Sequence, residues 1–496
     1  MELRKRVKET YGNNELLITV LFLIILAGII RIILLSVTID NPGDGQGWAR
    51  MAFLWSRDPY FKTSGVFLPG FMYLAGLVDI FLPYNPYFSP RLLNTILGTL
   101  TVPVFYILLN KLYGRKVAIF SSLLLSLLPI HAGLSVSSLT EASHVFEILI
   151  GFLFLIYAIE KKEKRWVFIC LSLFFLTLAN MTRYESWMFI PLWPAYLYWK
   201  TRDKTLSLAF LTFLLAFPIF WMTGNYVASG SPLIGFFSAA ESGPAAVGAN
   251  PVSFVKAVII ILKKLAFQLS IPVMALILLG VISNLISIKD LKKQSPQILY
   301  LSIFFLFWSF MLYFAMLRGR SLWVVYLLFG IVIALPFAFF PFRKFKFFPI
   351  ISFIILCLFI FLVVPPIYQE LSETSYARIY VTKVKPIEME QVASWLKESD
   401  YKSDYILMTR MGWKSKYLLL YFPEVSDKVE IVSPWANDTE LSRFIESHHP
   451  TLLITRDSDK EFIERVERLT NHNFTRDNPV YQYGEIKVFR IPHDER

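Results

Sequence analysis

The sequence predicts a polytopic α-helical membrane protein of about eleven spans, followed by a soluble α/β domain. Three observations predict it. Hydrophobic residues make up 55% of the 496 and charged residues only 17%, and the mean hydropathy is +0.52, too apolar for a water-soluble chain of this length. Apolar runs of about 20 residues, enough to cross a bilayer core as helix, recur through the first three-quarters. Beyond Pro365-Pro366 the composition turns charged and the pattern changes.

The first run, LLITVLFLIILAGIIRIILLSV, is too long for a signal-peptide core and lacks a small-residue cleavage site, so it reads as a retained span. Basic residues then recur in short loops: LRKRVK at the N-terminus, KLYGRK at 111–116, EKKEKR at 160–165, KTRDK at 200–204, KDLKK at 289–293 and FRKFK at 342–346. This is the positive-inside pattern, which places those segments and the N-terminus in the cytoplasm. The net charge of +12 is therefore topological and does not indicate nucleic acid. The apolar segment 66–83 does not cross, because a crossing there would put every later basic loop outside. It reads as a re-entrant or interfacial element within one outer loop, 38–90, as its prolines and Asp79 suggest. Eleven crossings follow, at 16–37, 91–110, 116–134, 139–159, 166–181, 185–200, 205–223, 265–287, 297–316, 321–340 and 347–365.

Residues 1–365 thus form a transmembrane domain and 366–496 an extracytoplasmic one. In the second, short β-type runs (YILMTR, VEIVSP, TLLITR, EIKVFRI) alternate with amphipathic helical segments (EMEQVASWLKES, NDTELSRFIESHH), the pattern of a small, partly parallel sheet. Two glycosylation sequons, at Asn437 and Asn473, fit an exterior location. Cys170 and Cys357 lie in apolar spans and predict no disulfide.

With this topology the unusual ionisable residues gather on one side: Asp44, His131, Glu141, His144, Arg183, Glu185, Arg318 and Arg320, all near span ends. Ionisable groups at a membrane rim are costly and default to a functional reading. Asp44 sits among glycines just beyond the first span, ahead of an amphipathic Trp/Met/Phe/Trp segment, and is the candidate catalytic carboxylate; its bland alternative is a solvated turn residue. Glu141 opens a helix, where a carboxylate is favoured in any case. His144 shares its helix face, a spacing that a metal or an ordinary interfacial histidine would both satisfy. Arg183 and Glu185 flank Tyr184 and close a short loop by a salt bridge, or present a guanidinium to a lipid phosphate. Arg318 and Arg320, in LRGRSLW, run against the positive-inside trend, and Arg91 opens the second span as a substrate contact or an interfacial anchor. Loop 224–253 is rich in Gly, Ala, Ser and Pro and faces the same side, as a lid would.

The order of an Asp-bearing outer loop, FLPGFMYLAGLVDIF, RLLNTILGTLTVPVFYILLNKLYG, LLPIHAGLSVSSLTEASHVFE and RGRSLWVVYLLFGI resembles the GT-C glycosyltransferases. The likeness is to the branch of protein O-mannosyltransferases and the lipid A aminoarabinose transferase, over residues 15–340, and GNYVASGSPL resembles that branch's asparagine–glycine–proline loop. The sequence departs from the branch in the glycines on both sides of Asp44 and in Arg320-Ser321 where an Arg-Tyr pair is common, and it lacks the WWDYG motif of oligosaccharyltransferases. Its composition suits a thermophilic archaeon.

The resemblance implies a polyprenyl or dolichyl phosphate donor bearing one sugar, a hexose such as mannose, and an acceptor that is a glycan, lipid or protein. Asp44 would act as general base, and Arg320 and Arg183 would stabilise the leaving phosphate, with Arg318, Arg91, Glu185 and His144 as further substrate contacts. Glu141 would position the acceptor or hold Arg183. No cofactor is required, and a divalent metal is compatible. The competing class is a transporter or flippase of a lipid-linked or anionic substrate, which carboxylates on one face and the lack of an inverted repeat disfavour. A non-catalytic accessory subunit, with the α/β domain as a docking module, is the other alternative.

Overall fold

The computed structural model describes residues 2–38, 44–82, 88–235, 251–291, 294–319, 322, 324–372, 387–403, 405–409, 418, 428–432, 438–456, 458–474 and 478–491. Among these, seven helices of eighteen or more residues are apolar enough to cross a membrane, as expected of a multi-pass protein. The first spans Asn14–Val37 within α1 (Glu2–Val37). The next four lie in α4 (Phe88–Tyr113), α7 (Glu141–Glu160), α8 (Arg165–Thr182) and α10 (Lys204–Ser229). The last two are α13 (Ser295–Arg318) and the helical run Val324–Phe342, whose central α-helical part is α14 (Leu328–Ala334).

The bent pair α11 (Phe254–Leu269) and α12 (Ile271–Ser287) stands at the expected span 265–287 and makes up to eight. Of the three other expected crossings, two are broken and one runs on beyond its expected end. Segment 116–134 is α5 (Arg115–Leu127) and α6 (Pro129–Leu134), separated ahead of Pro129 because proline disfavours helix in the residue before it. Segment 185–200 is a 3-10 turn, Tyr184–Phe189, and α9 (Leu192–Thr201). Segment 347–365 is α15 (Phe348–Ser372), which runs on through the Pro365-Pro366 pair expected to close the first domain.

The outward faces of these helices are what lipid requires. Along α1, Ile18, Phe22, Ile25, Ile29 and Ile32 are all more than half exposed, at the spacing of one helix face. Inside, Phe105, Tyr106, Phe152, Trp193, Tyr300, Phe307 and Phe337 belong to one continuous core that joins α4, α7, α9 and α13.

The loop expected to be re-entrant contains two helices, α2 (Asp44–Arg57) and α3 (Gly70–Phe81). Trp48, Ala52 and Trp55 share one face of α2 and pack on α3: Trp48 meets Phe71 edge-on at 6.0 Å, and Trp55 meets Tyr73 at 5.2 Å. The far end of this loop is tied to α10, where Asn225 Oδ1 accepts from the Gly65 amide at 2.7 Å. Gly224 beside it is required for close approach, since a β-carbon there would overlap the Thr63 carbonyl oxygen.

Asp79 of α3 is 3% exposed, and burial pushes its carboxyl up to about 7 against weaker downward pulls from Ser89 and Arg57. A carboxyl whose pKa is raised on folding stabilises the fold while neutral and loses that contribution between its ordinary 3.8 and its folded value. Wild-type stability is therefore expected to fall behind Asp79→Asn by about 1.4 kcal/mol for each pH step of one between roughly 4 and 7. Paired thermal-unfolding curves across that range test it, and parallel curves would refute it.

The C-terminal region holds a five-stranded sheet in the order β2-β1-β3-β5-β4. The strands are β1 (Ile406–Thr409), β2 (Val429–Val432), β3 (Leu452–Arg456), β4 (Tyr481–Tyr483) and β5 (Ile486–Arg490). β1 is parallel to β2 and β3, while β5 is antiparallel to both β3 and β4. This matches the partly parallel sheet expected, and four of the strands fall on the runs the sequence marks. α16 (Ile387–Glu398) covers one face, and α17 (Asp438–His448) with α18 (Lys460–Thr470) covers the other. The short β4 and the strongly amphipathic α18 carry no separate sequence expectation.

Candidate functional site

A cleft of about 120 Å³ opens where α2, α7, the turn after α8 and the start of the Val324–Phe342 helix meet. Asp44, Trp48, Phe67, Thr140, Glu141, Arg183, Tyr184, Glu185 and Tyr326 are among its lining residues. Each charged group arrives there by a local device. Asp44 is the first residue of α2, where the helix dipole favours a carboxylate, and it is exposed. Glu141 is likewise the first residue of α7. Arg183 follows the last residue of α8 with extended backbone (φ −147°, ψ 142°), which turns the chain into the 3-10 segment that carries Glu185.

Arg183 is the centre of the arrangement. Its Nη1 donates to Glu141 Oε1 at 2.6 Å and to Thr140 Oγ1 at 3.0 Å. Its Nη2 donates to Glu185 Oε1 at 2.6 Å, and Nε reaches both Glu185 oxygens at 3.2 Å. The guanidinium also lies 5.5 Å from the centre of the Tyr326 ring. Burial works against the Arg183 charge, but Glu185 and Glu141 outweigh it and hold the guanidinium above its ordinary pKa. Burial likewise pushes Glu185 up, and Arg183 more than reverses this, leaving it below the usual carboxylate range. Glu141 keeps Oε2 without a hydrogen-bond partner among the described residues. Asp44 forms no ion pair among them, so it is the cleft carboxylate not committed to Arg183.

The expected site residues fall into groups. Asp44, Glu141, Arg183 and Glu185 come together in the cleft. His144 lies one turn deeper on α7, lining a void of about 10 Å³ under the ion pairs, with Nε2 2.7 Å from Ser186 Oγ. Arg318, at the end of α13, stands behind the cleft wall, donating to the Tyr326 hydroxyl at 2.9 Å. Arg320 lies outside the described residues, as does 236–250 of the expected lid; residues 224–229 of that loop are the end of α10.

Arg91 does not line the cleft. Its Nε donates to the Val136 carbonyl at 2.7 Å and its Nη2 to that of Thr38 at 2.9 Å. One turn on, Asn94 Nδ2 donates to the Ser137 and Leu139 carbonyls, both at 2.7 Å. Together they hold the segment that leads into Glu141. His131 is buried beside Arg31, 2.7 Å from its Nη2, away from the cleft.

The aromatic walls carry little sequence signal. Trp48 belongs to the amphipathic segment noted after Asp44, but Tyr326 stands in an apolar run and is indistinguishable there from core. Among the described residues no group of three His, Cys, Asp or Glu side chains could hold a metal ion.

Residues 69–223 match the family model described as dolichyl-phosphate-mannose-protein mannosyltransferase. Across nearly its full length the chain superposes on ArnT from Cupriavidus metallidurans bound to undecaprenyl phosphate. The TM-score is 0.63 at 10% identity, covering 95% of this chain and 98% of that one. The chain has the GT-C fold. Two structures of the Archaeoglobus fulgidus oligosaccharyltransferase agree. The apo form gives a TM-score of 0.57 at 10% identity, covering 91% of this chain and 71% of that one. The form in complex with an inhibitory peptide and a dolichol-phosphate gives 0.52 at 9% identity, covering 91% and 70%. A comparison with curated proteins returned no match. In this GT-C fold the cleft belongs to α2, the segment between α2 and α3, and the ends of α7 and α8, and the family match takes in Glu141, Arg183 and Glu185 but not Asp44.

The C-terminal sheet reaches the cleft through α2. Ala49, fully buried, belongs to the hydrophobic core of that sheet with Met389, Ile406 and Val429, and Arg50 Nη2 donates to the Val429 carbonyl at 3.3 Å. Trp48, the preceding residue, lines the cleft. Ala49→Leu is expected to overpack this junction and destabilise it by about 1–3 kcal/mol. Hydrogen exchange would show the loss as faster exchange in both α2 and β1–β3, whereas a change confined to one of them would mean that they are not joined.

Proposed function

We propose that this protein is an inverting glycosyltransferase that moves one sugar, a hexose such as mannose, from a polyprenyl or dolichyl phosphate to an acceptor hydroxyl on the outer face of the cell membrane. The observation that carries the reading is Asp44: an exposed carboxylate at a helix N-terminus, facing a cleft whose other carboxylates are bound to one arginine. The GT-C relatives support it, since ArnT is bound to undecaprenyl phosphate and the oligosaccharyltransferase is in complex with a dolichol-phosphate.

In the proposed step Asp44 takes the proton of the acceptor hydroxyl while that oxygen attacks the anomeric carbon. The bond from the anomeric carbon to the phosphate oxygen breaks, and its electron pair leaves with the lipid phosphate, already a weak base that needs no general acid. One displacement inverts the anomeric configuration. Arg183 acts as a positioning residue, because its charge is spent on Glu141 and Glu185. The charge that stabilises the leaving phosphate then falls to Arg320, two residues after Arg318 in the sequence LRGRSLW. Glu141 Oε1 holds Arg183, and Oε2 is left to orient the acceptor.

The test is transfer of labelled sugar from polyprenyl-phosphate mannose and from polyprenyl-phosphate glucose into a membrane extract separated into lipid and protein. Label in one fraction identifies the sugar and the acceptor class. Folded protein that transfers from neither donor, while carrying a lipid-linked substrate across vesicles, would replace this reading with the transporter.

A further inference from the structure

The sequence expects one span at 265–287, yet the chain there breaks at Ser270, where α11 and α12 meet with a bend of 111°. Ser270 itself is in the left-handed region, with φ 65°. α12 has 17 residues, about 26 Å of helix, close to the roughly 30 Å of a hydrocarbon core, so it can cross unaided. α11, nearly perpendicular to it, then lies along the surface. It lies on the cleft side, because the Val252 amide just ahead of it donates to the Met316 carbonyl at 2.9 Å. Met316 is two residues from Arg318, whose side chain bonds Tyr326 in the cleft wall.

α11 has three faces. Ala257, Ile261 and Gln268 are buried against the bundle. Val255, Ile259 and Leu262 form an exposed apolar stripe, 64%, 45% and 43% accessible. Lys256 and Lys263 are exposed and Lys264 is half-buried, and the helix contains no acidic residue. Carried through a bilayer, Lys263 and Lys264 would enter hydrocarbon at high cost. Laid in the interface, the apolar stripe sinks into the acyl boundary and the lysines stay among headgroups.

We propose that α11 is an interfacial helix that binds the anionic phospholipid headgroups of the cleft-side leaflet through Lys256, Lys263 and Lys264, fixing the rim of the cleft at the membrane surface. The occupant follows from charge complementarity and from the apolar stripe beside the lysines, which a soluble polyanion would leave in water. The proposal does not depend on the transferase reading.

The full-length chain, with Cys170 and Cys357 replaced by Ala, would be labelled with a fluorophore through Val255→Cys, Ile259→Cys or Leu262→Cys in lipid nanodiscs. Quenching by brominated phosphatidylglycerol and brominated phosphatidylcholine is then compared, with bromine at shallow or deep acyl positions. All three labels should quench at the same shallow depth. The anionic lipid should quench at concentrations lower by about tenfold or more, since each lysine near a surface contributes about fivefold. A variant with all three lysines changed to Gln should keep the depth and lose the preference. A depth that increases steadily from Val255 to Leu262, or equal quenching by the two lipids around the unaltered lysines, would overturn the proposal. Displacement of phosphatidylglycerol by stoichiometric polyprenyl phosphate would also overturn it, assigning the stripe to the donor.

Discussion

Asp44→Asn is expected to lower turnover by about 10²–10⁴-fold, the range that loss of a general base commonly produces. The substitution keeps the shape of the side chain and removes its ability to take a proton. Asp44 is exposed and makes no ion pair among the described residues, so little stability rides on its charge. What is lost is a favourable carboxylate at the N-terminus of α2, worth up to about 1 kcal/mol. The fall should therefore appear in kcat, with the apparent KM for the lipid donor within about twofold and the melting temperature nearly unchanged. A variant that keeps more than a tenth of wild-type turnover would remove Asp44 from the chemistry. A fall seen only in KM would make it a binding group.

The second large effect belongs to Arg183. Arg183→Met should destabilise the fold by about 3–5 kcal/mol, the cost of removing one partner from a buried ion pair. Arg183 is 12% exposed, and Glu141 and Glu185 are 7% and 13% exposed, so the two carboxylates would face each other with little water to screen them. Arg183→Lys should recover only part of the loss, because a compact ammonium cannot hold one carboxylate bidentately while bonding the other. The double variant Arg183→Met with Glu185→Gln should be more stable than Arg183→Met alone, since it removes the repulsion. The pH dependence has a definite sign. Glu185 is held below the usual carboxylate range, so its contribution is present above the ordinary value of 4.5 and is lost as pH falls through the lowered one. Denaturant unfolding of the four proteins between pH 3 and 7 reads both effects. Equal stability of Arg183→Met and wild type at neutral pH would show that the ion pairs are not the support of this cleft.

Some of this was written locally in the chain. Period and run length mark α1, α4, α7, α8, α10 and α13, because a helix that faces lipid has to be apolar over its full length. The charge of the short loops argues that 66–83 does not cross, and the structure has a 12-residue helix there, Gly70–Phe81, packed on α2. The strands β1, β2, β3 and β5 follow the alternation between β-type runs and amphipathic helices. In the cleft, Asp44, Glu141, Arg183 and Glu185 could be picked out because a charge beside a membrane span is conspicuous.

Other residues gave equal signals and different outcomes. Arg91 and Arg183 both stand at span ends in the sequence. Arg91 spends its donors on the carbonyls of Val136 and Thr38, and Arg183 spends its own on two carboxylates. Glu185, two residues on, marks Arg183 for a local ion pair, but Glu141, which shares it, and the carbonyls that hold Arg91 lie 42 to 53 residues away and leave no local sign. The break at Ser270 is silent in the sequence for a related reason: α11 and α12 together are apolar enough to read as one span.

The long apolar helices, the C-terminal sheet and the charges near span ends were legible from the chain alone. They follow from composition and period, which act over a turn or a strand. Three-dimensional packing was needed to learn that Arg183 is shared between Glu141 and Glu185, that Tyr326 and Trp48 wall the cleft, and that Ala49 joins α2 to the C-terminal core. Each of these depends on how far one helix is rotated against another. That rotation is set by the packing of whole faces, such as Trp48 and Trp55 on α3, and the spacing of residues within a single helix does not encode it.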